Sequence, residues 1–222
     1  MVAQIFSQDR KLVRFLFSLY FLPLLFLFAV VVASSQMGVS LTMFTRDPAS
    51  VAQIHPFIGV VSNFGVMLWT ASATICLFSW AIFRHSLNEM RFATFLLCSG
   101  LLTTLLLFDD FFLLHEAIFP HYFGVSEKIV FLGYGGLMIC WMVSFKKCIL
   151  KTEYLILLIA LGFFGLSMFI DVFQNHIQSF IGNSRILFED GFKLLGIVGW
   201  LGYFLRCCLL QLGNKTGADL KC

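Results

Sequence analysis

Six apolar stretches, each long enough to cross a lipid bilayer, limit what this chain can fold into. They cover residues 12–34, 57–83, 92–119, 129–145, 154–173 and 188–210. About 20 apolar residues in a helix span the hydrocarbon core, which is about 30 Å thick. Hydrophobic residues make up 59% of the 222 residues and charged residues only 12%, so a soluble fold could not bury the apolar surface. The sequence therefore predicts an all-α, polytopic membrane helix bundle of about six transmembrane helices, forming one domain over residues 1–222.

Lysine and arginine predict the orientation of these helices. Three basic residues, Arg46, Lys128 and Arg185, fall in segments on one side of the membrane. Eleven fall on the other side: Arg10, Lys11, Arg14, Arg84, Arg91, Lys146, Lys147, Lys151, Arg206, Lys215 and Lys221. Because basic loops stay inside, both termini are predicted to be cytoplasmic, in a plasma or inner membrane. The first stretch, with its basic start, also fits a cleaved secretory signal, and the other five helices keep the same orientation in either case.

The charge pattern limits the kinds of molecule that the chain is expected to bind. The net charge is only +3, and no basic run alternates with aromatic residues as a nucleic-acid surface would require. Nucleic acid is therefore excluded as an expected partner. Membrane lipid, another membrane protein or a second copy of the chain are the partners that the sequence favours.

One loop has a local helix signal. Asp47 followed by Pro48 is typical of an N-cap and first helical residue, and it predicts a short helix over residues 48–55, ahead of the second span.

Acidic side chains near the predicted outer membrane surface are the main functional signal. Half of the twelve acidic residues lie within or at the ends of spans: Asp109, Asp110, Glu116, Asp171, Glu189 and Asp190. A carboxylate costs about 2.5–3.5 kcal/mol at the bilayer centre and less near its edge, so such residues usually have a function. The alternative is that each side chain simply reaches interfacial water.

Counting along the helices places these acids at one level. Asp109 follows Arg91 by 18 residues, and Asp171 likewise follows Glu153 by 18. Glu189 precedes Arg206 by 17 residues. At 1.5 Å per residue, each acid lies roughly 25–27 Å from the cytoplasmic boundary. Three helices are therefore predicted to bring carboxylates into one shared pocket.

Helical spacing adds detail to this acidic band. Asp109 and Glu116 are seven residues apart and share a face of a continuous third span. Glu189 and Lys193 are four residues apart, in the order that favours an ion pair. Glycines in the sixth span (Gly196, Gly199, Gly202) and in the fourth span (Gly133, Gly135, Gly136) are interpreted as sites where helices approach closely.

Mutual repulsion among six acids requires protonation or a bound cation. Oxygen ligands suit Mg²⁺, Ca²⁺ or Mn²⁺, and a histidine ligand would admit Zn²⁺ or iron. The predicted cofactor is a divalent metal ion held by Asp109, His115, Glu116 and Asp171. The predicted catalytic residues are Glu189, Lys193 and Asp110, with a carboxylate as general base and Lys193 stabilising negative charge.

Three hypotheses about function follow from this pattern. The first is a metal-dependent membrane hydrolase or transferase that acts on a lipid-like or peptide substrate. The second is a cation- or proton-coupled transporter that uses the same acids. The third is a noncatalytic subunit or assembly factor of a membrane complex, or a binder of an apolar cofactor.

Overall fold

The described part of the chain contains only helices as regular secondary structure. The computed structural model describes residues 2–55, 57–86, 89–182 and 184–219, so Lys221 lies outside it. Within these described residues, six helices are long and apolar enough to cross a membrane: Leu12–Met37, Val60–Phe83, Met90–Phe112, Glu127–Ile149, Tyr154–Val172 and Ser184–Gly213. The all-α, six-helix prediction is confirmed. The orientation of the termini and the type of membrane stay predictions.

The chain divides into two compact units, and the first comprises residues 1–58. Its helices are α1 (Val2–Met37), α2 (Leu41–Thr45) and α3 (Pro48–Ala52). The side chain of Asp47 accepts a hydrogen bond from the Ser50 N–H at 3.1 Å. The predicted short helix with an Asp47 cap is therefore confirmed, although it ends at Ala52. That both units belong to one domain stays a prediction.

The second unit, residues 59–222, holds the remaining elements. These are α4 (Val60–Phe83), α5 (Met90–Phe112), a π-helical turn (Leu114–Ile118), α6 (Phe119–Phe123), α7 (Glu127–Ile149), α8 (Tyr154–Val172), α9 (Gln174–Ile181) and α10 (Ser184–Asp219). Helix α4 packs against α5 and α10, and α10 packs against α8. Helix α7 packs mainly against α5. The apolar stretch predicted as the third span, about residues 92–119, is not one continuous helix, because α5 ends at Phe112 and the π-helical turn and α6 follow it.

A cluster of buried aromatic rings forms the core of this unit. Trp141 of α7 and Trp200 of α10 pack with ring centroids 5.4 Å apart, and Phe95 lies 5.7 Å from Trp141. Each indole N–H donates to a hydroxyl of α5 at 3.0 Å, Trp141 to Ser99 and Trp200 to Thr103. Because lipid tails are as apolar as these rings, packing and hydrogen bonds rather than the hydrophobic effect hold the helices together.

Small residues allow α8 and α10 to approach closely. A Cβ added at Gly199 would lie 3.0 Å from the Ala160 Cβ and 3.3 Å from its Cα. One added at Gly196 would lie 2.6 Å from the ring of Phe164. Close approach is therefore found at two of the three α10 glycines for which it was predicted, Gly196 and Gly199 but not Gly202. It is not found in α7, where Gly133, Gly135 and Gly136 have no atom within 4 Å of an added Cβ among the described residues.

We expect Gly199→Val to weaken the contact between α8 and α10, because backbone atoms of Ala160 cannot move aside as a flexible side chain would. The loss should be about 1–3 kcal/mol, typical of overpacking. Thermal unfolding in detergent measures it, with Gly202→Val as the matched control, because Gly202 faces open space. Equal midpoints for the two variants would contradict the close approach.

Candidate functional site

A cavity of about 690 Å³ lies between α5, α7, α8 and α10, with Trp69 of α4 also at its wall. All six acids predicted to form a band line it: Asp109, Asp110, Glu116, Asp171, Glu189 and Asp190. Helices α5 and α8 end here and α7 and α10 begin here, and we call this end of the second unit the acidic end. The carboxylates predicted to share a level therefore share one cavity. The individual catalytic and ligand roles predicted for them stay predictions.

A break in the backbone after α5 shapes the acidic end. Leu113 adopts a left-handed conformation with φ 53°, which is uncommon for a residue with a branched side chain. The chain then enters the π-helical turn that carries His115 and Glu116. Glu116 therefore does not continue the Asp109 face of α5. Instead, the turn brings His115 back against the end of that helix.

Asp109 is the acceptor at the centre of a buried hydrogen-bond network. Its Oδ1 accepts from the backbone N–H of His115 at 3.0 Å and from the Tyr134 hydroxyl at 2.7 Å. Its Oδ2 lies 2.6 Å from His115 Nδ1. Asp109 and His115 are each only 6% exposed. The network fixes the orientation of the imidazole and joins α5, the turn and α7.

The carboxylates around His115 favour its charged form. Burial opposes protonation, but the hydrogen bonds with Asp109 and Glu116 outweigh it and raise the pKa of His115 to about 9. The Nε2 atom lies 3.4 Å from Oε1 of Glu116, and the hydrogen bond with the imidazolium lowers the pKa of Glu116. At neutral pH the pair is an imidazolium and a carboxylate. An imidazolium has no free lone pair, so in this state His115 is a proton donor rather than a metal ligand.

A second ion pair links α5 and α10. Lys193 Nζ contacts Asp110 Oδ1, and Asp110 is 6% exposed. The other carboxylate oxygen, Oδ2, is buried and has no hydrogen-bond partner among the described residues. A small cavity of about 20 Å³ beside it, lined by Ser62 and Gly65 among others, is large enough for one water molecule.

The predicted ion pair between Glu189 and Lys193 is wrong. Glu189 contacts Arg185 one turn before it, while Lys193 turns across the helix interface to Asp110. Asp110 is the more buried carboxylate, so it gains more from a neighbouring cation than a partly exposed one does. Ser167 of α8 donates to the backbone carbonyl of Glu189 at 2.9 Å, which ties the start of α10 to α8.

The metal prediction is left open by this geometry. Among the described residues, no group of three or more histidine, cysteine, aspartate or glutamate side chains is placed to hold an ion. Asp171, one of the four predicted ligands, lines the cavity and makes no ion pair with a described residue. The divalent ion therefore stays a prediction.

The cavity has an apolar part that opens sideways. One face of α7 (Phe131, Tyr134, Gly135, Met138, Ile139) and one face of α8 (Leu161, Phe164, Gly165, Met168) line it. Ile139 is 59% exposed and lies 12 residues into α7, about 18 Å below its start at 1.5 Å per residue. Met168 of α8 is 40% exposed. Exposed lining residues at this depth indicate an opening between α7 and α8 towards the membrane interior.

The lining residues that the sequence did not identify as site residues include Trp69, Glu127 and Tyr134. Trp69 and Tyr134 lie inside apolar stretches where nothing distinguishes them from lipid-facing aromatic residues. The glycines on either side of Tyr134 are the one signal that could have identified it, because they leave its surroundings open. Glu127 starts α7, where an acid is usually explained by the helix dipole alone.

Comparison with known proteins adds a family but no activity. A family model described as a domain of unknown function (DUF8692) matches residues 24–207, which is most of the chain. No curated protein and no solved structure matches the chain. The cavity and its side chains are therefore the features that bear on function.

We expect the stabilising effect of His115 to depend on pH. An unfolded histidine has a pKa of about 6.5, so the contribution is complete below about pH 6.5 and is lost as the pH rises through about 9. Thermal midpoints of the wild type and His115→Gln, measured between pH 6 and 10, should therefore differ most at pH 6 and converge above pH 9. A difference that stays constant over this range would contradict a raised pKa of His115.

Lys193→Met should leave the Asp110 carboxylate without its counter-charge. We expect a loss of about 2–4 kcal/mol in the free energy of unfolding, below the full value for a buried pair because Lys193 is 34% exposed in its side chain. The double variant Asp110→Asn/Lys193→Met should regain most of this stability. Additive losses in the double variant would argue against the pair.

Proposed function

We propose that this chain, which belongs to the DUF8692 family, is a membrane-embedded hydrolase or transferase that acts on an amphiphilic, lipid-like substrate. The observation that carries the proposal is the Asp109–His115 pair at the polar end of a cavity whose other end is apolar. A volume of about 690 Å³ is within the usual range for small-molecule sites.

His115 is suited to general acid catalysis. Asp109 holds Nδ1 at 2.6 Å, as a second carboxylate does in many acid–base sites, so Nε2 is the nitrogen that can exchange its proton. With a pKa of about 9, the imidazole is charged at neutral pH and can protonate a leaving oxygen.

Glu116 is suited to the complementary role of general base. It takes a proton from water, the water oxygen bonds to the electrophilic carbon or phosphorus, the bond to the leaving oxygen breaks, and His115 protonates that oxygen. The proton on Glu116 then returns to Nε2 of His115, 3.4 Å from Oε1, and the cycle is complete. In a transferase, an acceptor hydroxyl replaces the water.

Lys193 of α10 supplies positive charge to the cavity. Its ammonium group contacts Asp110 with one of three N–H donors, and the others are available to stabilise negative charge on a substrate oxygen. A divalent ion among the acids, as the sequence predicts, would add Lewis-acid chemistry to the same site.

The remaining hypotheses gain less support. A transporter needs a polar path to the opposite end, and the bundle beyond the cavity is filled by buried rings such as Trp141, Trp200 and Phe204, which does not favour ion passage. A noncatalytic role stays a prediction, and such a role does not account for the orientation of His115 between Asp109 and Glu116.

We expect His115→Gln to reduce product formation by about 10²–10⁴-fold, the usual contribution of a general acid. The assay incubates a total polar lipid extract with purified protein and compares lipid products by mass spectrometry. Glu153→Gln is the matched control, because Glu153 is a partly exposed carboxylate that pairs with Arg206 and does not line the cavity. Undiminished products with His115→Gln would contradict the proposed chemistry.

A further inference from the structure

The charges that line the cavity do not balance. Seven carboxylates line it: Asp109, Asp110, Glu116, Glu127, Asp171, Glu189 and Asp190. Four of them are paired, two with His115, one with Lys193 and one with Arg185. The other three, Glu127, Asp171 and Asp190, make no ion pair with any residue in the described ranges. The side chains that line the cavity therefore carry excess negative charge.

These unpaired carboxylates come from three different helices and surround the polar end. Glu127 begins α7, Asp171 lies one residue before the end of α8, and Asp190 lies in the second turn of α10. Glu127 and Asp171 are close enough to repel one another. Asp190 is repelled by Asp110 and attracted by Lys193, the cation with which Asp110 is already paired. A positively charged group placed among them would relieve this repulsion.

A separate observation also indicates a missing donor. Asp110 is 94% buried and lines both the large cavity and the small one beside Gly65, and its Oδ2 atom has no hydrogen-bond partner among the described residues. A buried acceptor left unpaired costs free energy, so a ligand or a water with an N–H or O–H to donate would be favoured at this oxygen.

The apolar part of the cavity defines the rest of the ligand. Aromatic side chains, Trp69, Phe131 and Phe164, line the wall below the acids, with aliphatic residues and the sideways opening beyond them. Ring faces attract cations, and the aliphatic section suits an alkyl chain. A cationic head and an apolar tail would each meet a matching surface.

We propose that this cavity binds amphiphiles with a cationic amine headgroup, the amine lying among Glu127, Asp171 and Asp190 and the alkyl chain lying between α7 and α8. As a statement of substrate class, this rests on the proposed function. The carboxylates and the ring faces attract such an amine over distances of several ångström. A divalent metal ion requires several oxygen ligands at about 2.0–2.6 Å. An anionic headgroup would be repelled unless a metal ion accompanied it.

The test compares three probes with the same brominated hexadecyl chain: an amine, an alcohol and a sulfate. Each is titrated into the protein in nanodiscs of neutral lipid, and the bromine quenches tryptophan fluorescence at the cavity. Trp69→Phe identifies the part of the signal that comes from the cavity wall. Any preference of the bilayer itself for a probe is the same for all protein variants.

We expect half-maximal quenching of the wild type at an amine concentration about tenfold below that for the alcohol. The double variant Glu127→Gln/Asp171→Asn should reduce this preference to about threefold or less, while its alcohol binding, unchanged, shows that the cavity is intact. Glu153→Gln should retain the full preference.

Three results would overturn the proposal: equal binding of amine and alcohol, an unchanged preference in the double variant, or sulfate binding that appears only with Mg²⁺. The last result would assign the site to a divalent ion. Failure of the proposed function is separate. Selective amine binding without turnover of any lipid would overturn the enzyme and retain the ligand class. Turnover by a protein that does not prefer the amine would retain the enzyme and overturn the ligand class.

Discussion

The buried carboxylate of Asp109 is the interaction on which the acidic end depends. It accepts from the backbone and the ring of His115 and from the hydroxyl of Tyr134, so one side chain holds the end of α5, the π-helical turn and α7 together. A carboxylate this buried is stable only if it is paired and hydrogen-bonded. The same bonds that stabilise the charge also determine where Nε2 of His115 lies, so the packing of the bundle and the geometry of the site have one cause.

The second unit is divided into two halves with different physical character. In one half, Trp141, Trp200 and Phe95 fill the space between helices, and their polar atoms are satisfied by Ser99 and Thr103. In the other half, α7 separates from α8 and leaves a cavity with a polar end and an apolar wall. The closely packed half holds the helices together, which allows the charged half to keep unpaired carboxylates that a closely packed interior could not tolerate.

The features that follow from helix length and rise were predictable from sequence. The six spans follow from apolar stretches of sufficient length, and the shared level of Asp109, Asp171 and Glu189 follows from counting residues along them. The predictions that failed concerned contacts, which depend on the residues that surround a side chain in the folded protein. Nothing in the sequence marks Leu113 as the residue that leaves the helix, and spacing within α10 cannot show that Lys193 prefers a carboxylate on α5. The α7 glycines follow a pattern that is typical of helix contact, but they line open space.

The sideways opening at Ile139 and Met168 changes the free energy that a ligand must supply. A hydrocarbon chain that binds from water gains about 0.8 kcal/mol of binding free energy for each methylene group transferred out of water, and this gain depends on chain length alone. A chain that enters from the surrounding lipid passes from one apolar environment to another, so it gains almost no free energy. Discrimination between ligands then depends almost entirely on their few polar atoms, and chain length has little influence on which molecules are retained.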